Sequence, residues 1–259
     1  MRVETVIIGG SCLGAGMLAG DSGALLIERS ASIGSEYFNS YRECIGWDVT
    51  LRSAEAEGLR YELREKCVDG EMDFYALAPV MYDFLKAYSN RIMMCTELVF
   101  IEERDGGFLL ECRNQSGMIN IECEKLIDVS PVTVSRRDWG RKNITAKYLR
   151  AALCVKDGMP ACCEMLEQRK GRGDWESVIG LKLAPAVSWS TARGELLSSF
   201  INDPGRNDAK IALIAREFDY VLETVRHEFS PNWTFISPLT FANPLEAFDA
   251  GISLRSMEK

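Results

Sequence analysis

The chain has 259 residues, 47% of them hydrophobic, and a formal charge of -8, which gives it mass enough for one or two cored domains. The acidic balance disfavours a nucleic-acid partner, because phosphates are repelled where no basic surface meets them; the one basic stretch, Arg136-Arg137 to Arg141-Lys142, reads as a solvated loop. Nine scattered cysteines without a C-x-x-C pair, and His227 as the single histidine, argue against a disulfide framework and a zinc site, so no metal is expected.

Met1-Arg2 leads straight into an apolar run, Val3 to Gly9, with no signal sequence, and no run reaches the ~20 residues of a membrane span. Reduced thiols, a cytoplasmic setting and no membrane partner are therefore expected. Gly9-Gly10-Ser11-Cys12-Leu13-Gly14 then forms a glycine turn opening a short helix, and Ala24 to Ile27 is a second apolar run closed by Glu28. This order matches the dinucleotide-binding βαβ unit. Gly9 permits the tight turn, Gly14 lets the helix pack close to the strand, and free N–H groups at the helix start face a pyrophosphate. Glu28 lies nineteen residues after Gly9, near the spacing at which an acid accepts from adenosine ribose hydroxyls. Two features depart from the fingerprint. Ser11 stands at the middle glycine, either crowding the phosphates or donating its hydroxyl to them, and Gly16, Gly20 and Gly23 limit the helix to two or three turns. A ligand-free strand and turn is the competing reading.

Residues 29–47 read as an ordered loop anchored by Tyr37, Phe38, Tyr41 and Trp47, and residues 51–66 as a helix with a thin stripe of Leu51, Leu59 and Leu63. Asp73 is placed to cap a further helix in which Phe74, Leu77, Met81, Phe84 and Leu85 follow a three-to-four period. Ile92 to Cys95 is a short apolar run. Glu97–Glu103, Phe108–Cys112 and Met118–Cys123, separated by D-G-G and Q-S-G turns, predict a three-stranded antiparallel meander. The meander ends in Lys125 to Pro131, a buried strand stopped by its proline. Beyond it, Ala146 to Val155 and Leu181 to Trp189 read as strands, and Ala161 to Gln168 and Ala209 to Arg226 as helices. The last helix opens at Asn243-Pro244, with proline in the first helical position and Leu245, Phe248 and Ile252 on its buried face.

The N-terminal glycine unit, the meander, the strand ending in Ile127-Asp128-Val129-Ser130-Pro131 and the late N-P-x-x-A-x-x-A-G helix together resemble the glutathione-reductase-type FAD-binding fold of FAD-dependent oxidoreductases. The likeness covers residues 1–50, 73–131 and 236–259. It implies FAD as cofactor, with Gly9, Gly10, Ser11, Cys12, Leu13 and Gly14 around the pyrophosphate and Glu28, with Arg29 beside it, at the adenosine ribose. It also implies that the Leu98 backbone meets the adenine and that Asn243 and Pro244 face the flavin or ribityl chain. Val129-Ser130-Pro131 replaces the A-T-G of the family's D-A-T-G segment. Ser130 would still border the cofactor, but proline lacks the N–H and the freedom of glycine. The chain is also short for the class.

Flavin chemistry asks for position and electrostatics more than for reactive side chains, so the lack of a triad or metal cluster sets aside hydrolase and metalloenzyme readings alone. Cys44, following the polar loop and adjoining Arg42, is the candidate reactive thiol, against the commoner reading of an inert small hydrophobe. Cys12 stands where a helix N-terminus favours thiolate, with small-residue packing as the equal alternative; the Cys162-Cys163 pair reads as incidental thiols, His227 as a residue of a helix end, and Trp139, Trp175, Trp189 and Trp233 as packing or an apolar substrate pocket. No second glycine fingerprint provides an NAD(P)H domain. The expectation is an α/β protein with a Rossmann-type FAD-binding domain, residues 1–131 and 236–259, carrying the meander, and a smaller α+β inserted segment, residues 132–235. The expected function is an FAD-dependent oxidoreductase moving a hydride between a small-molecule substrate and flavin. The alternative is a non-catalytic nucleotide-binding or partner-binding protein on the same scaffold.

Overall fold

The structure, a computed structural model, describes every residue except 45, 68–71, 73, 157–165, 172, 207 and 257–259. The Asp73 cap and the Cys162-Cys163 pair fall outside the described residues. The chain opens with β1 (Arg2–Ile8), α1 (Cys12–Gly20) and β2 (Ala24–Ile27), then a short α2 (Ser35–Phe38), α3 (Ala54–Lys66) and α4 (Phe74–Leu85). Next come β3 (Ile92–Met93), β4 (Glu97–Arg104), β5 (Gly107–Asn114) and β6 (Gly117–Asp128). The middle holds α5 (Arg137–Lys142), β7 (Ile144–Cys154), β8 (Leu166–Lys170), β9 (Glu176–Leu183), α6 (Trp189–Ile201), β10 (Lys210–Ile214) and β11 (Asp219–Leu222). The chain ends with β12 (Arg226–Ser230), β13 (Trp233–Ile236) and α7 (Pro244–Ser256).

Two sheets organise these elements into a mixed α/β, Rossmann-type fold. In the first, the order is β12-β13-β6-β1-β2-β3, and β4 and β5 extend from β6 as the meander. β1 lies parallel between β2 and β6, with Ile7 opposite both Leu26 and Ile127. Buried on both sides, β2 is apolar throughout, as a central parallel strand must be. The second sheet runs β10-β7-β9-β8, with β11 also on β7. Residues 226–236, which the sequence places mostly in the middle segment, pair into the first sheet through β13 and β6.

The glycines of α1 have a structural reason beyond the turn. A Cβ on Gly16 would lie 1.9 Å from Phe248 O, and one on Gly251 would lie 2.2 Å from Leu13 O. α1 and α7 therefore cross with backbones in contact, and the loss of helix propensity is exchanged for close packing. Ser11 caps α1, its Oγ accepting from Gly14 N at 3.1 Å.

Several expectations need correction. Residues 209–226 form two strands and their connection rather than a helix, both strands antiparallel to β7. His227 consequently lies on β12, not on a helix end, stacked on Trp139 at 4.9 Å. The strand expected over 181–189 is β9, which starts at Glu176 and stops at Leu183; Ser188 then caps α6, which the sequence reading missed. Residues 166–168 belong to strand β8 rather than a helix. The third meander strand and the strand expected over 125–131 are one continuous β6, whose first half pairs with β5 and second half with β1. The basic loop contains the short helix α5. The tryptophans do not form one group: Trp233 and Trp139 belong to a cluster with Phe229, while Trp175 is exposed.

Candidate functional site

A cleft of about 580 Å³ opens at the C-terminal ends of β1 and β2, where a Rossmann-type sheet binds its ligands. Its floor is Gly9, Gly10 and Ser11; its side is Glu28, Arg29 and the Thr96-Glu97-Leu98 segment; its far wall is Ser130 to Val134. Gly9 holds φ at +106°, and a Cβ there would meet Ser130 N at 2.8 Å, so glycine is required for the turn to pass the neighbouring strand end.

Buried carboxylates shape this end. Glu28 accepts from Gly10 N and Ser30 N, both at 2.6 Å, which fixes it at the edge of β2 facing the cleft. Asp128, fully buried at the end of β6, accepts from Ser130 N, Val134 N, Ser135 N and the Thr133 hydroxyl. It thereby ties the Ser130–Ser135 turn into the far wall despite Pro131. Glu36, on α2, accepts from Cys12 N at 2.7 Å at the start of α1 and lines the cleft. Burial pushes the Glu36 carboxyl up to about 7, and burial first, then Glu36, holds the Cys12 thiol well above its ordinary range.

The roof comes from the second sheet. Arg216 N and Glu217 N both donate to Asn39 O, so the connection between β10 and β11 bends over the cleft with Arg216, Glu217, Phe218 and Tyr220. Trp189, its Nε1 donating to Ala215 O, closes one side. Arg137 and Arg141 of α5 also reach the lining, and Arg137 donates to Leu98 O at 3.0 Å. With Arg29 and Arg216 they give the cleft four arginines against Glu28, Glu36, Glu97 and Glu217. None of Arg137, Arg141, Arg216 or Glu36 was singled out from the sequence. The first two stood in a stretch read as solvent-facing, and nothing local announces the others.

The expected site residues therefore divide. Gly9, Gly10, Ser11, Glu28, Arg29, Leu98 and Ser130 meet at the cleft. Cys12, Leu13 and Gly14 are buried behind it in α1. Asn243 and Pro244 do not line it: Asn243 donates to Gly46 O at 2.8 Å and accepts from Leu245 N, capping α7. The neighbouring segment is fastened to the loop after β2. Tyr37 Oη donates to Phe241 O at 3.1 Å, and Arg42 donates to Leu239 O and to Asp219 Oδ1, both at 2.5 Å. Arg150 also donates to Asp219 at 2.8 Å, and the buried Nε atoms of Arg150 and Arg169 have no hydrogen-bond partner. Cys44 is half-buried against the core and does not line the cleft.

The residues present fit the adenosine-diphosphate half of a dinucleotide: a positive-φ glycine turn, a helix start, the acid Glu28 at the end of the second strand and an open cleft. Beside the cleft, Tyr37 and Arg42 bond to Phe241 O and Leu239 O, and Asn243 bonds to Gly46 O, so these segments are fastened to each other. Among the described residues no cluster of His, Cys, Asp or Glu could hold a metal ion, and no helix is long and apolar enough to cross a membrane.

No protein-family model and no curated protein matches the chain. Solved structures do. The p-nitrophenol 4-monooxygenase PnpA from Pseudomonas putida DLL-E4 is similar over 100% of this chain and 81% of its own, at 12% identity and a TM-score of 0.62. A geranylgeranyl bacteriochlorophyll reductase-like protein from Thermoplasma acidophilum is similar over 99% and 77%, at 13% identity and a TM-score of 0.57. The rebeccamycin biosynthetic enzyme RebC, in a structure with reduced flavin, is similar over 91% of this chain at 11% identity and a TM-score of 0.54; the chain spans only 55% of it. At these identities what is shared is the fold: a Rossmann-type α/β sheet of the kind these proteins carry.

Proposed function

We propose that this chain is a compact FAD-dependent oxidoreductase acting on a small molecule, its FAD domain arranged as in the glutathione-reductase type. The observation that carries the reading is the cleft itself. It gathers Gly9, Gly10, Ser11, Glu28 and Leu98 where the ADP half of FAD would lie, in a fold similar to that of an enzyme whose structure is known with reduced flavin. Glu28 would accept from the ribose hydroxyls, the Ser11 hydroxyl would donate to a phosphate while keeping its bond from Gly14 N, and Arg29, Arg137, Arg141 and Arg216 would offset phosphate charge. When bound, the flavin supplies the redox chemistry, for which we propose hydride transfer with the substrate. This chain's part is to bind, orient and exclude water, with the β10–β11 connection as the cover. The division into residues 1–131 with 236–259 and an inserted 132–235 stands as a proposal, as does any role for Cys44.

The second reading, a nucleotide-binding protein without flavin catalysis, is favoured by one observation: the bonds from Tyr37 and Arg42 to Phe241 and Leu239, which fasten together segments beside those the resemblance would set at the flavin. Two experiments separate the readings. Glu28→Ala and Gly14→Val should each yield protein that loses its flavin on gel filtration; flavin content equal to wild type would remove Glu28 and the turn from the site. An oxidoreductase bleaches its flavin anaerobically with a reductant and recovers it with an acceptor. A protein that carries flavin but does neither with any reductant fits the second reading.

A further inference from the structure

Ser11 already caps α1 through Gly14 N, yet the helix start receives a second acceptor from another element. Glu36 Oε1 reaches Cys12 N at 2.7 Å across 24 positions of sequence, and the residue is 3% exposed. α2 is brought onto the turn by Gly34 N donating to Gly10 O at 2.7 Å. The carboxylate thus takes the N–H that a helix start offers to a phosphate, and it does so on the cleft lining. Burying a carboxyl is costly even where main-chain groups and the Cys12 thiol bond to it, and Ser11 makes it unnecessary for capping.

We infer that Glu36 is a built-in competitor for the phosphate position, so that the charged carboxylate and a nucleotide's pyrophosphate exclude each other at Cys12 N. The inference rests on the nucleotide-binding part of the reading above and not on flavin catalysis. Around Glu36 stand the Cys12 thiol of α1, Glu28 at the end of β2, and Tyr37 and Cys44 of the following segment. Burial holds Cys12 and Tyr37 above their ordinary ranges, so both stay neutral near pH 7, while Glu28 adds repulsion to the Glu36 carboxylate. Since the Glu36 carboxyl loses its proton near pH 7, the nucleotide competes with an anion above that pH and meets a neutral acid below it. Binding then takes up a proton above pH 7: affinity falls about tenfold per pH unit there and levels off below about pH 6, the linkage expected of one titrating group.

The test is calorimetric titration of the full chain, stripped of any flavin, with ADP and separately with FAD from pH 6 to 9, in two buffers of different ionisation enthalpy. Wild type should take up close to one proton per nucleotide at pH 8, and Glu36→Gln none. The variant should bind at least tenfold more tightly than wild type at pH 8.5 and equally at pH 6. A flat pH profile in wild type, or a Glu36→Gln protein that binds more weakly throughout, overturns the inference. The wild-type proton count needs no variant, so a misfolded Glu36→Gln protein leaves a decisive result. ADP binding with the expected profile and no FAD binding would keep the inference and remove the flavin reading. FAD binding that is indifferent to pH would do the reverse. Failure of both nucleotides at every pH would remove both.

Discussion

The glycine end of the cleft and the cluster fastened beside it are built by different means. At the glycine end the chain uses backbone and near neighbours in sequence: the Gly9 turn, Ser11 on Gly14 N, and Glu28 on Gly10 N and Ser30 N. Beside the cleft it uses side chains that meet across the whole chain. Arg42 reaches Asp219 over 177 positions and Leu239 O over 197, and Arg150 reaches the same Asp219 over 69. The first construction leaves an open cleft, and the second is filled with ion pairs.

The difference can be broken at the fastened cluster first. Asp219, with a side chain 8% exposed, faces Arg42 at 2.5 Å and Arg150 at 2.8 Å. Asp219→Asn leaves two buried guanidiniums without their shared acid and should destabilise the fold by about 3–5 kcal/mol in urea unfolding. A loss under 1 kcal/mol would mean that the cluster is solvated and open.

At the glycine end, Glu36 makes stability depend on pH. Its carboxyl titrates near 7 in the folded chain against an ordinary 4.5 when unfolded. A raised pKa of this kind gives stability that is complete below 4.5 and lost as pH rises to about 7. Wild type should therefore lose roughly 3 kcal/mol across that window relative to Glu36→Gln, compared by denaturant midpoint at each pH. Parallel profiles for the two proteins would refute the burial of Glu36.

Smaller effects sharpen the comparison. Gly16→Ala places a methyl against Phe248 O and should cost about 1–3 kcal/mol, shifting α7 while leaving the Arg42–Asp219 cluster intact. Ser11→Ala removes the α1 cap and should cost about 1 kcal/mol, read as a lower thermal midpoint. An unchanged midpoint would show that Glu36 alone caps the helix.

Legibility in the sequence follows the same division. β1, the turn, β2 and the meander announce themselves because their signals are local: Gly9, Gly106 and Gly117 all hold positive φ where the turns were read. β10 and β11 were misread because Ile211, Ile214, Ala215, Phe218 and Leu222 fall at helical spacing and the bend between them carries no glycine or proline. The bend is held instead by Asn39 O, a contact that no window of sequence contains. α6 is legible in Ser188 ahead of Ala192, Leu196 and Phe200 at four-residue spacing, but the apolar run before it continues the strand pattern and masks the helix start. Glu36 gave no signal, since its role exists only where α2 folds back onto Gly10.

The visible absorption spectrum of the purified full chain, with the supernatant of the heat-denatured protein assayed for released cofactor, tests the proposed function most directly. An FAD-dependent oxidoreductase gives a flavin spectrum and releases FAD rather than FMN. A colourless protein that also fails to take up added FAD at pH 6, where Glu36 is neutral, would contradict it.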